Sequence, residues 1–327
     1  MANLTQFGND LYTGKRSYNF VGKYRLWYTI AIIAMAASIV IPIISGFNFG
    51  IEFRGGSQFQ ITQAAHQEQQ PAIDAVQSVV PDQVAHVTTI GANGLRVQTD
   101  KLSDDETNSV AQALGEAYDI PASEVTASFV GPSWGADITA QAIRALIVFI
   151  ALAVIMMAIY FRTWKMSIAA LLSLVNVLVV TAGVYAATGF EVTPGAIIGF
   201  LTILGFALYD TVVVFDKVRE NTAELGPESR QTFGEAVNLA VNQTLVRSIN
   251  TGVVAALPVA SILFIGSFVL GADTLRDISL ALLVGIVLGT MSTIFIGAPI
   301  YAHLRENEPA IKKQTERVLA LRAASAE

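Results

Sequence analysis

Asp210 lies in the apolar run Ile203-Leu-Gly-Phe-Ala-Leu-Tyr-Asp-Thr-Val-Val-Val-Phe215, and Arg247 lies inside the next apolar run of the chain. A carboxylate at the centre of a membrane-spanning helix costs about 2.5–3.5 kcal/mol on insertion scales. An acid retained at that depth is therefore expected to work, and a buried base on the following span is its natural partner. The chemistry open to such a pair is proton uptake and release. A nearby cation favours a charged carboxylate, whereas desolvation without one favours the acid, so helix arrangement and proton binding become coupled. Each elementary charge that crosses the field is worth about 2.3 kcal/mol per 100 mV. A purely structural ion pair is the competing reading.

These two residues need spans to hold them. The chain has 327 residues, 53% hydrophobic and 14% charged, with a mean hydropathy of +0.54, which excludes an ordinary soluble domain. About 20 residues cross the hydrocarbon core, and six runs reach that length: 26–47, 142–160, 167–188, 195–215, 243–268 and 278–301. Trp27, Tyr28, Tyr160, Trp164 and Tyr301 fall at run ends, where aromatic rings favour the interface. The first run follows a polar stretch and lacks a small-x-small cleavage site, so it is expected to be a retained helix rather than a signal peptide.

Lys15, Arg16, Lys23 and Arg25 precede the first run; Arg162, Lys165, Lys217, Arg219 and Arg230 lie between the second and third and between the fourth and fifth. Arg305, Lys312, Lys313, Arg317 and Arg322 follow the sixth, so both termini are expected to be cytoplasmic. At about 1.5 Å per residue, Asp210 is then about 12 Å from the cytoplasmic end of its span, Arg247 about 6–8 Å and Asn176 about 15 Å from theirs. All three can converge in the inner half of the bundle, with Thr211, Asn250 and Thr251 as hydrogen-bonding neighbours.

Cysteine is absent, which removes disulfides and thiol chemistry, and a net charge of −6 without a basic stripe gives no reason to expect nucleic acid. No nucleophile with a base, metal-ligand spacing or phosphate loop suggests an enzyme or a cofactor. His66 and His86 are isolated and read as surface or strand positions.

The loop after the first span is long enough to be a domain. Strands are expected over 57–63, 83–90, 95–99 and 124–130, with a turn at Gly91-Ala-Asn-Gly94. Helices are expected over 71–80 and from a Ser103 or Asp104 cap to Tyr118, supported by Glu106 in the first turn. The order βαββαβ is ferredoxin-like. The fold class is thus an α-helical polytopic membrane protein of six transmembrane helices, with a ferredoxin-like α+β extracytoplasmic domain between the first and second. The parts are an N-terminal segment 1–25, a first helix 26–47, the domain 48–141, a five-helix bundle 142–302 and a C-terminal tail 303–327.

Several stretches resemble one family. Phe47-Asn-Phe-Gly-Ile-Glu-Phe-Arg-Gly-Gly-Ser57, with Gly50, Glu52, Arg54, Gly55 and Gly56, resembles the entry motif of the SecD/SecF translocation proteins. Val130-Gly-Pro-Ser-Trp-Gly-Ala136 resembles the family's approach to its second span, and Gly205-Phe-Ala-Leu-Tyr-Asp-Thr-Val-Val-Val-Phe-Asp-Lys-Val-Arg-Glu-Asn221 is similar to the fourth-span signature of its SecF branch. Gln243-Thr-Leu-Val-Arg-Ser-Ile-Asn-Thr251 and Gly289-Thr-Met-Ser-Thr-Ile-Phe-Ile296 resemble the fifth and sixth. The resemblance implies a subunit that acts with SecD to promote preprotein translocation through the SecYEG channel, with SecA and YajC as possible further partners. It implies the bacterial cytoplasmic membrane, the proton-motive force as energy source, protons as the coupling ion and no cofactor. A half-sized proton-coupled transporter of the resistance-nodulation-division type, moving a small molecule or lipid, is the alternative. One departure stands out: the family usually has His-Asp in mid third span, and this chain has Val175-Asn176. Asn176 can hydrogen-bond but does not carry a proton, which moves the burden to Asp210 and Arg247.

The other polar residues invite plainer readings. Asp216 and Arg219, with Lys217 and Glu220, form a charged, solvated helix end, and Glu191 is expected to face solvent in a short outer loop. Arg144 can snorkel, Arg276 and Asp277 read as end charges, and Gly195-x-x-x-Gly199 and Gly285-x-x-x-Gly289 provide small faces for close helix packing.

Overall fold

The structure, a computed structural model, describes residues 2–64, 66–91, 93–161, 163–223, 225–226, 229–266 and 273–324. Ala92 of the expected turn, Arg162 of the charge pattern and the last residues of the fifth expected span lie outside the described residues.

The chain opens with a helix, α1 (Ala2–Tyr12), whose Leu11 is buried against the bundle. The sequence gives this stretch as a polar segment; Phe7 and Leu11 are too apolar to leave in water and dock against the bundle, while Tyr12 stays exposed. The six spans follow: α2 (Tyr24–Ser45), α6 (Pro132–Phe161), α7 (Trp164–Thr188), α8 (Pro194–Ala223), α9 (Phe233–Ser261) with a π turn at Ile262–Gly266, and α10 (Asp273–Ser292) continued through a π turn at Thr293–Gly297 into α11 (Ala298–Glu306). Helix α12 (Pro309–Ala324) then folds back, and its Arg322 pairs with Glu235 at the start of α9.

Between α2 and α6 sits the sheet domain: β1 (Asn48–Phe49), α3 (Ile51–Arg54), β2 (Gly56–Ile61), α4 (Gln70–Val79), β3 (His86–Ile90), β4 (Gly94–Thr99), α5 (Asp104–Ala117) and β5 (Val125–Val130). The four-stranded sheet has the order β3-β4-β2-β5 with every neighbouring pair antiparallel, which is the ferredoxin-like arrangement expected from the element order. Phe59, Ile61, Leu95 and Val97 from the strands pack on Val76, Val110, Leu114 and Tyr118 from the helices, forming a core separate from that of the bundle. Ser103 caps α5 in a reciprocal box with Glu106, as the sequence indicates. A second, unforeseen pairing joins β1 in parallel to β6 (Glu191–Val192), tying the exit of the first span to the link between α7 and α8.

Helix α6 begins about ten residues before the position read from hydropathy. Its first turns carry polar residues, but Gly135 lets them pack against the α3 backbone: a Cβ there would stand 2.6 Å from the Phe53 carbonyl oxygen. The bundle's tightest seam is between α8 and α10, which run parallel. Gly199, Ile203, Ala207 and Thr211 on α8 face Ala281, Gly285, Gly289 and Thr293 at successive turns. Both expected small-residue faces thus meet in one crossing. Gly183 of α7 likewise admits Ser38 of α2.

Candidate functional site

Asp210 is 3% exposed, on the inner face of α8. Its period places it one residue before Thr211, which shares a 2.9 Å hydrogen bond with Thr293 at the first position of the second π turn. π turns insert an extra residue into the helical ladder and recur at functional sites. Here the turn also seats Gly297 against Ser173 and Phe215.

Ser248 Oγ of α9 donates to Asp210 Oδ1 at 2.7 Å, while Asp210 Oδ2 is buried with no hydrogen-bond partner among the described residues. At Ser292, the residue before Thr293, Asn176 Nδ2 of α7 donates to Ser292 Oγ at 3.3 Å, and Ser173 Oγ and Ser292 Oγ are 2.9 Å apart. Asn176 Oδ1 is buried and unpartnered too. Four helices thus contribute a polar layer to an otherwise apolar core. An ionised Asp210 would hold one hydrogen bond and no cation; a protonated Asp210 adds an O–H donor that needs an acceptor. Either form asks for a different set of neighbours, which is the property a proton-driven rearrangement needs.

Arg247 acts on Asp210 through its charge alone, without contact. It forms no ion pair among the described residues; its guanidinium is exposed and donates to the Tyr209 hydroxyl at 3.4 Å. The expected Asp210–Arg247 contact is therefore replaced by Asp210–Ser248. The cause is helical phase: about 100° per residue separates neighbours, so turning Ser248 inward turns Arg247 outward. Asn250 is exposed on the same side of α9 and is not hydrogen-bonded to Asp210, whereas among the described residues Asn176 and Thr211 enter the polar layer. Ser173, Ser248, Ser292 and Thr293 were missed in the sequence. Hydroxyls are common in spans because they bond the preceding turn, as Thr293 does with Gly289, so residue type alone does not single them out.

The glycine motif has a structural explanation. Gly50 begins α3 and donates its N–H to Val192 O at 3.0 Å, adjoining the β1–β6 pair. Arg54 Nη2 donates back to Phe47 O at 3.2 Å, closing the turn, and one buried Glu52 oxygen is unpartnered. Gly55 and Gly56 have φ of 75° and 134°, and a Cβ on Gly56 would lie 2.3 Å from Thr99 O. Only glycine enters the sheet this way. Asp216 and Arg219 form an exposed pair at 2.9 Å, and Arg219 also stacks on Tyr160 at the end of α6.

A second polar cluster lies where the sheet domain meets the bundle. Glu191, read from the sequence as solvent-facing, is instead half-buried and held: Arg96 of β4 pairs with it, and Gln98 Nε2 donates to it at 2.6 Å. The β1–β6 pairing holds this loop under the sheet, which the local sequence does not reveal. Asp277 is buried, accepting from Thr193 Oγ1 at 2.9 Å at the start of α8.

Comparison with known proteins agrees with this architecture. Residues 110–307 match the model of the C-terminal part of protein export membrane proteins SecD/SecF, and residues 40–62 match the SecD/SecF GG motif. The chain is 42% identical over its full length to the protein translocase subunit SecF of Streptomyces coelicolor, covering 87% of that protein. It is 38% identical to SecF of Mycobacterium tuberculosis strain H37Rv, over 97% of this chain and 73% of that one. The crystal structure of SecDF from Thermus thermophilus, described as a translocon-associated membrane protein, superposes with a TM-score of 0.77 at 26% identity. That match covers 89% of this chain and 39% of the SecDF chain.

Proposed function

This chain belongs to the SecD/SecF family of protein export membrane proteins, and from that premise we propose that it is the SecF-type subunit of a protein translocase, using protons to support export. It acts with a SecD subunit at the SecYEG channel, near SecA and YajC, on a translocating preprotein. It sits in the bacterial cytoplasmic membrane with both termini inside and the sheet domain outside; the distribution of Lys and Arg supports this orientation. The role is mechanical rather than enzymatic, with the proton as coupling ion and no cofactor. The identity to translocase subunits supports export over the small-molecule or lipid pump.

The observation that carries the proton reading is Asp210, a buried carboxylate with one hydrogen bond and one open oxygen inside a span. Arg247 supports partnership with SecD. A guanidinium exposed on a membrane helix is costly against lipid, and a facing subunit that presents an acceptor or acid removes that cost. The fused arrangement of the related SecDF chain supports the same pairing.

The test is gradient-dependent preprotein export in vesicles that contain the partner subunits, comparing the parent with Asp210→Asn. The variant keeps an oxygen for Ser248 but has no titratable proton. Protein level and SecD association are expected to hold while the gradient-dependent part of export is lost. Full gradient dependence in Asp210→Asn would end the proton reading.

A further inference from the structure

The sheet domain does more than follow the first span: it is fastened to the bundle by charge. Arg96 and Glu191 pair with side chains only 13% and 9% exposed, and Gln98 adds its 2.6 Å hydrogen bond to the same carboxylate. Arg96 and Gln98 stand on β4, a central strand of the sheet, so they report the position of the whole domain. Glu191 belongs to the bundle side. Two residues later Thr193 accepts the Ala196 N–H at 3.2 Å, capping α8, and donates to Asp277 of α10 at 2.9 Å. Arg276, next to Asp277, lies 5.7 Å over the ring of Phe190, next to Glu191. The clamp therefore grips the start of the same α8–α10 seam that carries Asp210 and Thr293 about 25 Å further along.

Two physical features let this clamp both hold the domain and pass a larger movement on to it. Removing one partner of a buried ion pair strands the other charge, so the contact is strong against small displacements. A cavity of about 210 Å³ opens beside it, lined by Thr88, Thr89, Arg96, Glu191, Arg276 and Asp277. It has room for several waters, which can take over the charges when the pair parts. We propose that Arg96 and Glu191 form the joint through which movement of α8 against α10 reaches the sheet domain. They are positioning residues that touch no proton pathway themselves. The proposal rests on the proton-driven export reading for the source of the movement.

Because the chain contains no cysteine, two introduced residues report the joint directly. Spin labels at Gln112→Cys on exposed α5 and Thr188→Cys at the end of α7 measure the domain-to-bundle distance in the full chain with its partner subunit. The parent should give a narrow distance distribution. Glu191→Gln and Arg96→Gln should broaden it and remove the gradient-dependent part of export, with gradient-independent export and partner binding retained. Arg96→Lys, which preserves the charge, should recover both readouts. An unbroadened distribution in Glu191→Gln overturns the joint. Full gradient-dependent export despite a broadened distribution overturns its coupling role. Asp210→Asn run in parallel separates the two ideas: its full gradient-dependent export would sink the source of the movement, while the label distances judge the clamp independently.

Discussion

Gly285→Ala should loosen the seam that positions the polar layer, and the size of the effect follows from the packing. A Cβ at this position would stand 2.2, 2.3 and 2.4 Å from Cδ1, Cγ2 and Cγ1 of Ile203. Carbon atoms rest at about 3.5–4.0 Å, so the contact lacks more than about 1 Å. Two of the three atoms are at the root of a β-branched side chain that is 2% exposed, so rotation of its tip gives no escape. The helices must spread or Ile203 must leave its rotamer, and overpacking of this kind costs about 1–3 kcal/mol. Ile203→Ala alone leaves a cavity and costs about 2–5 kcal/mol. In the double variant the new methyl enters that space. Its loss should fall short of the summed singles by about 1–3 kcal/mol, as for residues in direct contact. Thermal unfolding of the four proteins in detergent completes the cycle. The same stripe places Thr211 and Thr293 two turns along, about 12 Å away, where spreading lengthens a 2.9 Å bond. Gradient-dependent export should therefore fall in Gly285→Ala and recover in the double. Additivity within about 0.5 kcal/mol would refute the packing argument.

Asp210→Asn should leave stability nearly unchanged. Relief of the ~2.5–3.5 kcal/mol insertion cost is offset by about 1–3 kcal/mol for a buried amide donor without an acceptor. With one coupled proton, 100 mV supplies about 2.3 kcal/mol, so the lost stimulation should approach about 50-fold in equilibrium bias; export assays with and without the gradient read it. Ser248→Ala removes the hydroxyl that donates to Asp210 and should uncouple export, whereas Ser248→Thr should retain coupling; equal activity of the two variants would discard this contact. Gly56→Ala forces a side chain into φ 134° and against Thr99 O, costing at least about 1–3 kcal/mol in strain, and should make the sheet domain sensitive to protease. The backbone N–H of Ser103, aided by its hydroxyl, holds the Glu106 carboxyl below its usual range. That contribution is present above the ordinary carboxylate pKa and vanishes as pH falls through the depressed folded value. Glu106→Gln should thus weaken hydrogen-exchange protection of α5 at neutral pH and match the parent in acid.

The sequence by itself determined the spans, the ferredoxin-like order of the sheet domain and the placing of a carboxylate, Asp210, within a span. All three are written locally: in apolar runs, in alternation and capping residues, and in the cost of a carboxylate within a span. The glycine pairs on the fourth and sixth spans were also legible, because small residues four apart mark a close-packed face. Which residues meet was decided only by tertiary structure. Polar residues are scattered round helix α9, with Asn242, Gln243, Thr244, Arg247, Ser248, Asn250 and Thr251 in ten positions, so its sequence carries little phase, and packing against α8 chose Ser248 over Arg247 as the neighbour of Asp210. The early start of α6 is hidden from hydropathy because its polar first turns are held by contact with α3. Glu191 looked like a loop carboxylate until a strand distant in sequence placed Arg96 over it. Local pattern sets what each segment can be, whereas the rotation and depth of one helix against another depend on surfaces from the whole chain, and the polar layer exists only at their intersection.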